Sequence, residues 1–203
     1  MSEGQTAGRD DPKAERILTA AKSAFLEFGY AETSMDLVAQ RAHASKTTLY
    51  KRFPSKEALF SACMKAECES RGAHFSAAAL ADQPVDVALR DIGMRLLDLL
   101  WSPEVFRLEQ IVTGEAARFP EVASLFYQAG PEHVSAEIER YFEAALQAGK
   151  LAIANPRFAA EHFVASLRGA RYCGLMSDQT QEEREAFVAQ TVAMFLDGAR
   201  PRA

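Results

Sequence analysis

The sequence predicts an all-α protein, and three observations carry that prediction. Thirty-seven of the 203 residues are Ala, against 11 Gly and 8 Pro, a balance that favours helices over turn-dense sandwiches and barrels. Apolar residues recur at three- and four-residue spacing along most of the chain, the period of a helix with one buried face. The stripes are separated by helix punctuation such as Asp11-Pro12, Gly29, Pro54 and Asn155-Pro156, residues that open or stop helices. A hydrophobic fraction of 48% and a charged fraction of 25% are those of a globular chain with a sizeable core. No run of 18 apolar residues occurs and the first eleven residues are polar, so no membrane partner, span or signal peptide is expected. Three cysteines without finger-like spacing fit a reducing cytoplasm.

Residues 1–11 read as a polar arm. Asp11 then caps a first helix with Pro12 at its first position; Ile17, Leu18, Ala21, Phe25 and Phe28 form its stripe, and Gly29 ends it. Thr33, with Asp36 three residues on, resembles a capping box and opens a short helix to Arg41. After a break at His43-Ala44, Ser45 caps a second short helix from Lys46 to about Phe53, anchored only by Leu49 and Phe53. Pro54 stops it, and Ser55-Lys56-Glu57 caps the next helix, which is expected to run past Cys63 and Cys68 towards Leu80.

Two short helices joined by a tight turn have the geometry of a helix-turn-helix, with the first helix as the third wall. The free side of the second short helix carries Lys46, Thr47, Thr48, Tyr50, Lys51 and Arg52, with no acid among them. Such a rod suits the major groove, with cations for phosphates or guanine edges and hydroxyls for phosphate oxygens. The bland alternative is an exposed helix of an ordinary bundle. The net charge of −5 counts against nucleic acid until it is split by position. Residues 1–60 hold nine basic and eight acidic side chains, whereas 61–203 hold fourteen and twenty. Arg41, Lys46, Lys51, Arg52 and Lys56 form a basic island without an acid between them, and the acidic remainder would repel phosphate from other faces.

The series Thr33-Ser34-Met35-Asp36-Leu37-Val38-Ala39, Ala42, Ser45-Lys46-Thr47-Thr48-Leu49-Tyr50, Phe53 and Ser55-Lys56-Glu57-Ala58-Leu59-Phe60 resembles the TetR (tetracycline-repressor) family of bacterial regulators. Upstream, Arg16-Ile17-Leu18, Ala20-Ala21, Phe25 and Gly29-Tyr30 match as well. The resemblance implies a homodimer placing two recognition helices in successive major grooves of double-stranded operator DNA. Carried over, Lys46 and Thr47 are candidates for base contact, and Thr48, Tyr50 and Lys56 for phosphate. Thr33, Ser34 and Ser45 join them at helix N-termini, while Lys51 and Arg52 stay open between base edge and phosphate. Where the family usually has Gly in the turn, this chain has His43, so a positive φ is expected on a residue that tolerates it.

From about 84 onward, stripes predict helices over Val85–Trp101, from Ser102-Pro103, after Phe119-Pro120, after Gly130-Pro131 to near Gly149, from Asn155-Pro156 to about Met176, and from Gln181 to about Asp197. The stretch Glu115–Glu121, with Phe126-Tyr127 and Gly130-Pro131, resembles the AefR-like C-terminal domain of some TetR regulators. The domains are then expected at 12–58 for the helix-turn-helix and 59–203 for a helical ligand-binding and dimerisation domain. Trp101, Phe106, Gln110, Phe126, Tyr127 and Tyr141 are pocket candidates for a small-molecule effector, with Phe163 and Tyr172. Arg107, Glu137 and Arg171 would be polar handles; each aromatic could equally be plain core. Phe163, Leu167, Ala170 and Gly174, with Phe187, Val188, Thr191, Val192 and Phe195 on the last helix, suit either a dimer bundle or burial within one subunit.

Four scattered histidines and the absence of a Gly-rich phosphate loop, nucleophile elbow or carboxylate pair argue for no metal, no cofactor and no enzyme. Cys173 reads as a redox sensor or a small buried hydrophobe. The expectation is a cytoplasmic repressor released by a small molecule. An activator of the same fold, or a helical small-molecule binder without DNA function, are the alternatives.

Overall fold

Ten α-helices and no strand are found among the residues that the computed structural model describes, namely 11–70, 80, 82–172 and 179–199, the side chains of 170–172 excepted. They are α1 (Pro12–Glu32), α2 (Met35–Arg41), α3 (Lys46–Arg52), α4 (Lys56–Ser70), α5 (Val85–Leu100), α6 (Pro103–Glu115), α7 (Pro120–Tyr127), α8 (His133–Gln147), α9 (Pro156–Tyr172) and α10 (Gln181–Ala199). The chain divides into two compact units, Met1–Ala66 with Arg107–Ala129, and Glu67–Phe106 with Gly130–Ala203.

The first unit is built on α1 to α4. Asp11 caps α1 by accepting from the Lys13 and Ala14 amides. Ser45 caps α3 by accepting from Thr48 N at 3.1 Å, and the Ser55 hydroxyl accepts from Ala58 N at 3.2 Å. Ile17 and Phe25 of α1, Val38 of α2, Leu49 of α3 and Leu59 and Phe60 of α4 are buried together with Leu108 and Val112 of α6 and Val122 of α7. The Phe25, Tyr30 and Phe60 rings lie 5.1–5.9 Å apart, in edge and stacked geometries that add to simple burial. Short α2 and α3 could not hold their shape alone, so this shared core is what fixes the angle between them.

The second unit packs α5, α8, α9 and α10. Leu89, Ile92 and Leu96 of α5 meet Ile138 and Phe142 of α8, Phe163 and Leu167 of α9, and Val188, Val192 and Leu196 of α10. A Cβ on Gly93 would stand 2.6 Å from Val188 Cγ1, so the close approach of α5 to α10 requires glycine there.

Two expectations need amendment. Thr33 does not cap α2: the N-cap is Ser34, which accepts from Leu37 N, while Thr33 is the C-cap of α1. Gly130-Pro131 is not a break but part of a π-helical stretch, Gln128–Glu132, that leads directly into α8; a widened turn steps past the donor that Pro131 lacks. The extension of α4 towards Leu80 and of α9 to Met176, like the arm before Asp11, falls on residues outside those described, apart from Leu80 itself.

Candidate nucleic-acid interface

Ser34 and Ser45 start two consecutive helices, and between them the chain makes a tight reversal at His43, whose φ is +48°. His43 N donates to Gln40 O at 3.2 Å and Ala44 N to Ala39 O at 3.0 Å, which ties the turn to the end of α2. His43 is the single non-glycine residue with positive φ among those described, at the position where the sequence led us to expect it.

Leu49 faces the core, and the opposite side of α3 presents Lys46, Thr47, Tyr50, Lys51 and Arg52 to solvent. Thr48 is half-buried, its hydroxyl sharing a 2.8 Å hydrogen bond with that of Ser45. Thr33 is only 1% exposed and donates its hydroxyl to Gly29 O at 2.7 Å. Lys56 is engaged inside the unit, Nζ donating to Tyr30 O at 2.8 Å and Ala31 O at 3.2 Å while lying over the Tyr30 ring.

The basic island is paired more fully than its own acid-free stretch suggests. Lys46 Nζ lies 2.6 Å from Asp36 Oδ2, Arg41 Nη1 lies 2.8 Å from Glu27 Oε2 and over the Phe28 ring, and Arg52 pairs with Asp11. The hydrogen bond to Asp36, with its charge, raises the Lys46 pKa. Solvation losses push the Asp11 carboxyl up, but two backbone amides and Arg52 together hold it below its ordinary value. These acids lie five to thirty residues outside the island, and no linear spacing pointed to them.

The helix-turn-helix and the described helices beyond it agree with two family patterns. Residues 17–63 match "Bacterial regulatory proteins, tetR family", and residues 87–198 match "AefR-like transcriptional repressor, C-terminal domain". The chain belongs to the TetR family. It is a DNA-binding transcriptional regulator. This regulator is similar to the Flavonoid-responsive Regulator FrrA, with 36% identity, 94% of this chain and 98% of that one covered, and a TM-score of 0.75. A TetR-family regulator from Mesorhizobium loti MAFF303099 gives 26% identity, coverages of 96% and 100%, and a TM-score of 0.76. The DNA-binding transcriptional repressor TetR of Mycobacteroides abscessus is 40% identical over 58 residues, 29% of this chain and 30% of that relative. The chain thus spans less than a third of the length of the curated relatives it matches first.

The pocket and dimer candidates are scattered. In the first unit Arg107, Gln110 and Tyr127 are exposed and Phe126 packs against the core. In the second, Phe106 is exposed, whereas Glu137, Tyr141 and Phe163 are buried, Glu137 pairing with Arg140. Trp101 is half-buried beside Phe187, and its Nε1–H is buried with no acceptor among the described residues. The side chains of Ala170, Arg171 and Tyr172, and Cys173 and Gly174 altogether, lie outside the described residues. Phe163, Leu167, Val188 and Val192 are buried within the core of their own chain. Phe187, Thr191 and Phe195 are half-buried. The outward side of α9 shows Phe158, His162, Ala165 and Gly169, and that of α10 shows Ala186, Gln190, Ala193 and Met194. No described helix is long and apolar enough to cross a membrane.

Proposed function

We propose that this TetR-family regulator is a non-enzymatic, cytoplasmic repressor that holds a two-fold symmetric operator as a homodimer and is released by a small molecule. The observation that supports it best is the acid-free, solvent-facing side of α3, held in a helix-turn-helix. Lys46 and Thr47 read base edges, Thr48 and Tyr50 reach phosphate, and Lys51 and Arg52 follow the groove, with the capped starts of α2 and α3 at Ser34 and Ser45 turned to the backbone. Residues 12–58 act as the DNA-binding domain and 59–203 as the effector and dimer domain. The dimer forms through the outward sides of α9 and α10, where small residues alternate with the 64% exposed Phe158 and the 79% exposed Met194. The effector is a planar aromatic of the flavonoid class. The name of FrrA suggests that class, and the unpaired Trp101 indole N–H offers a hydroxyl or carbonyl of such a ligand a donor.

Selection of bound sequences from random duplexes tests this reading. A consensus with two inverted half-sites about one or more helical turns apart is expected, and a panel of flavonoids should release the selected duplex. Uniform weak binding without a motif refutes the operator. A motif that no flavonoid releases refutes the effector class alone.

A further inference from the structure

The two amides that follow Gly29 have an unusual partner. Gly29 has φ +79° and ψ 178°, which breaks α1, and the turn after it starts with donors that lack carbonyls one turn back. Tyr30 N donates to Glu115 Oε1 and Ala31 N to Glu115 Oε2, both at 3.1 Å. The Tyr30 and Ala31 carbonyls are in turn held by Lys56 Nζ. One dipeptide is therefore gripped through its amides by an acid of α6 and through its carbonyls by a cation of α4. Two residues further on, Thr33 returns its hydroxyl to Gly29 O, and Ser34 opens α2.

Glu115 is out of place for the helix that carries it. It is the last residue of α6, where the helix dipole disfavours a carboxylate. Its own carbonyl accepts from Arg118 N at 2.9 Å and Phe119 N at 2.8 Å, which fixes the end of α6, and the Phe119 ring packs on Tyr30 at 6.3 Å. A Cβ on Gly29 would come within 2.3 Å of Glu115 Oε1, so the glycine is the seat on which the carboxylate rests. We infer that Glu115 is a positioning residue for operator binding: its carboxylate locks the α1–α2 junction to the end of α6, so that the orientation of α2 and α3 follows α6. The α6 helix itself begins at Pro103, outside the unit that holds its end.

This inference rests on the regulator reading above, and the test separates the two. Random-duplex selection is run on the wild type and on Glu115→Gln, whose amide can accept from one of the two N–H groups but turns a donor to the other. The wild type should select one half-site spacing. Glu115→Gln should select the same half-site, because α3 is untouched, but accept spacings one base pair longer or shorter. It should bind the wild-type spacing about tenfold more weakly. If it does not fold, Glu115→Asp, which keeps the charge but reaches one amide at most, carries the same comparison. Unchanged affinity and spacing overturn the inference, as does an equal loss at every spacing, the mark of a merely structural residue. A wild type that selects no symmetric site overturns the regulator reading itself, and the inference with it.

Discussion

Replacing Gly29 by Ala tests the joint between α1 and α6 through stability. At φ +79° and ψ 178° the backbone sits in a region open to essentially glycine alone, and placing a side chain there costs about 1–3 kcal/mol. The new Cβ would also meet Glu115 Oε1 at 2.3 Å. The carboxylate must swing away, leaving the Tyr30 amide unpaired at a further cost of about 1–3 kcal/mol. The two together come to about 2–6 kcal/mol, centred near 4, a fall of roughly 8–16 °C in Tm at about 2–4 °C per kcal/mol for a chain of this size. Gly149→Ala is the control: its φ is +68°, but no atom stands within 4 Å of the added Cβ. It should cost about 1 kcal/mol and roughly 3 °C. Thermal melts followed by circular dichroism at 222 nm read both. Equal shifts for the two variants would refute the idea that Glu115 is pinned against Gly29.

His43→Gly should leave Tm unchanged or raise it by up to about 3 °C, since a left-handed backbone is relieved while the unfolded chain gains freedom; a clear fall would mean the turn depends on the imidazole. Asp36→Asn removes the partner of Lys46, so non-specific duplex affinity should rise and its salt slope steepen by up to about one unit; an unchanged slope in filter binding would show that Lys46 never meets phosphate. Burial first, then Glu67 and Glu69, push the Cys68 thiol up to about 11 from an ordinary value of 9.0. A raised value means its contribution to stability is whole below pH 9 and fades as pH climbs towards 11. At pH 8 iodoacetamide should therefore spare Cys68 in the folded chain and label it only in denaturant, by mass spectrometry.

What was legible in the sequence was local. Asp11, Ser45 and Ser55 each act within three residues of themselves, while the positive φ of His43 was implied by the family resemblance, which places Gly in that turn. Thr33 and Ser34 were both plausible caps, and the choice fell to Ser34 because the kink at Gly29 left a carbonyl that Thr33 takes. An apolar stripe declares that a face is buried but not what buries it, which is why the sequence left Phe163, Leu167, Val188 and Val192 open between a dimer bundle and the core of their own chain, in which they are buried. The Glu115 contacts join residues 84 and 85 apart, and no period in the sequence spans that distance.

The pairing of Lys46 with Asp36, Arg41 with Glu27 and Arg52 with Asp11 has a kinetic side. A paired cation acts at a distance as a dipole, and its field fades faster than that of a lone charge. At a Debye length of about 8 Å, these three pairs add little pull on an approaching duplex before contact, which leaves Lys51 and Lys56 to supply what steering there is. Encounter should then proceed near the unsteered range of about 10⁵–10⁶ M⁻¹s⁻¹ rather than the steered one. Each acid must yield its cation only once phosphate or base edge is at hand. Right and wrong sequences would be met equally often and told apart by how long they are held.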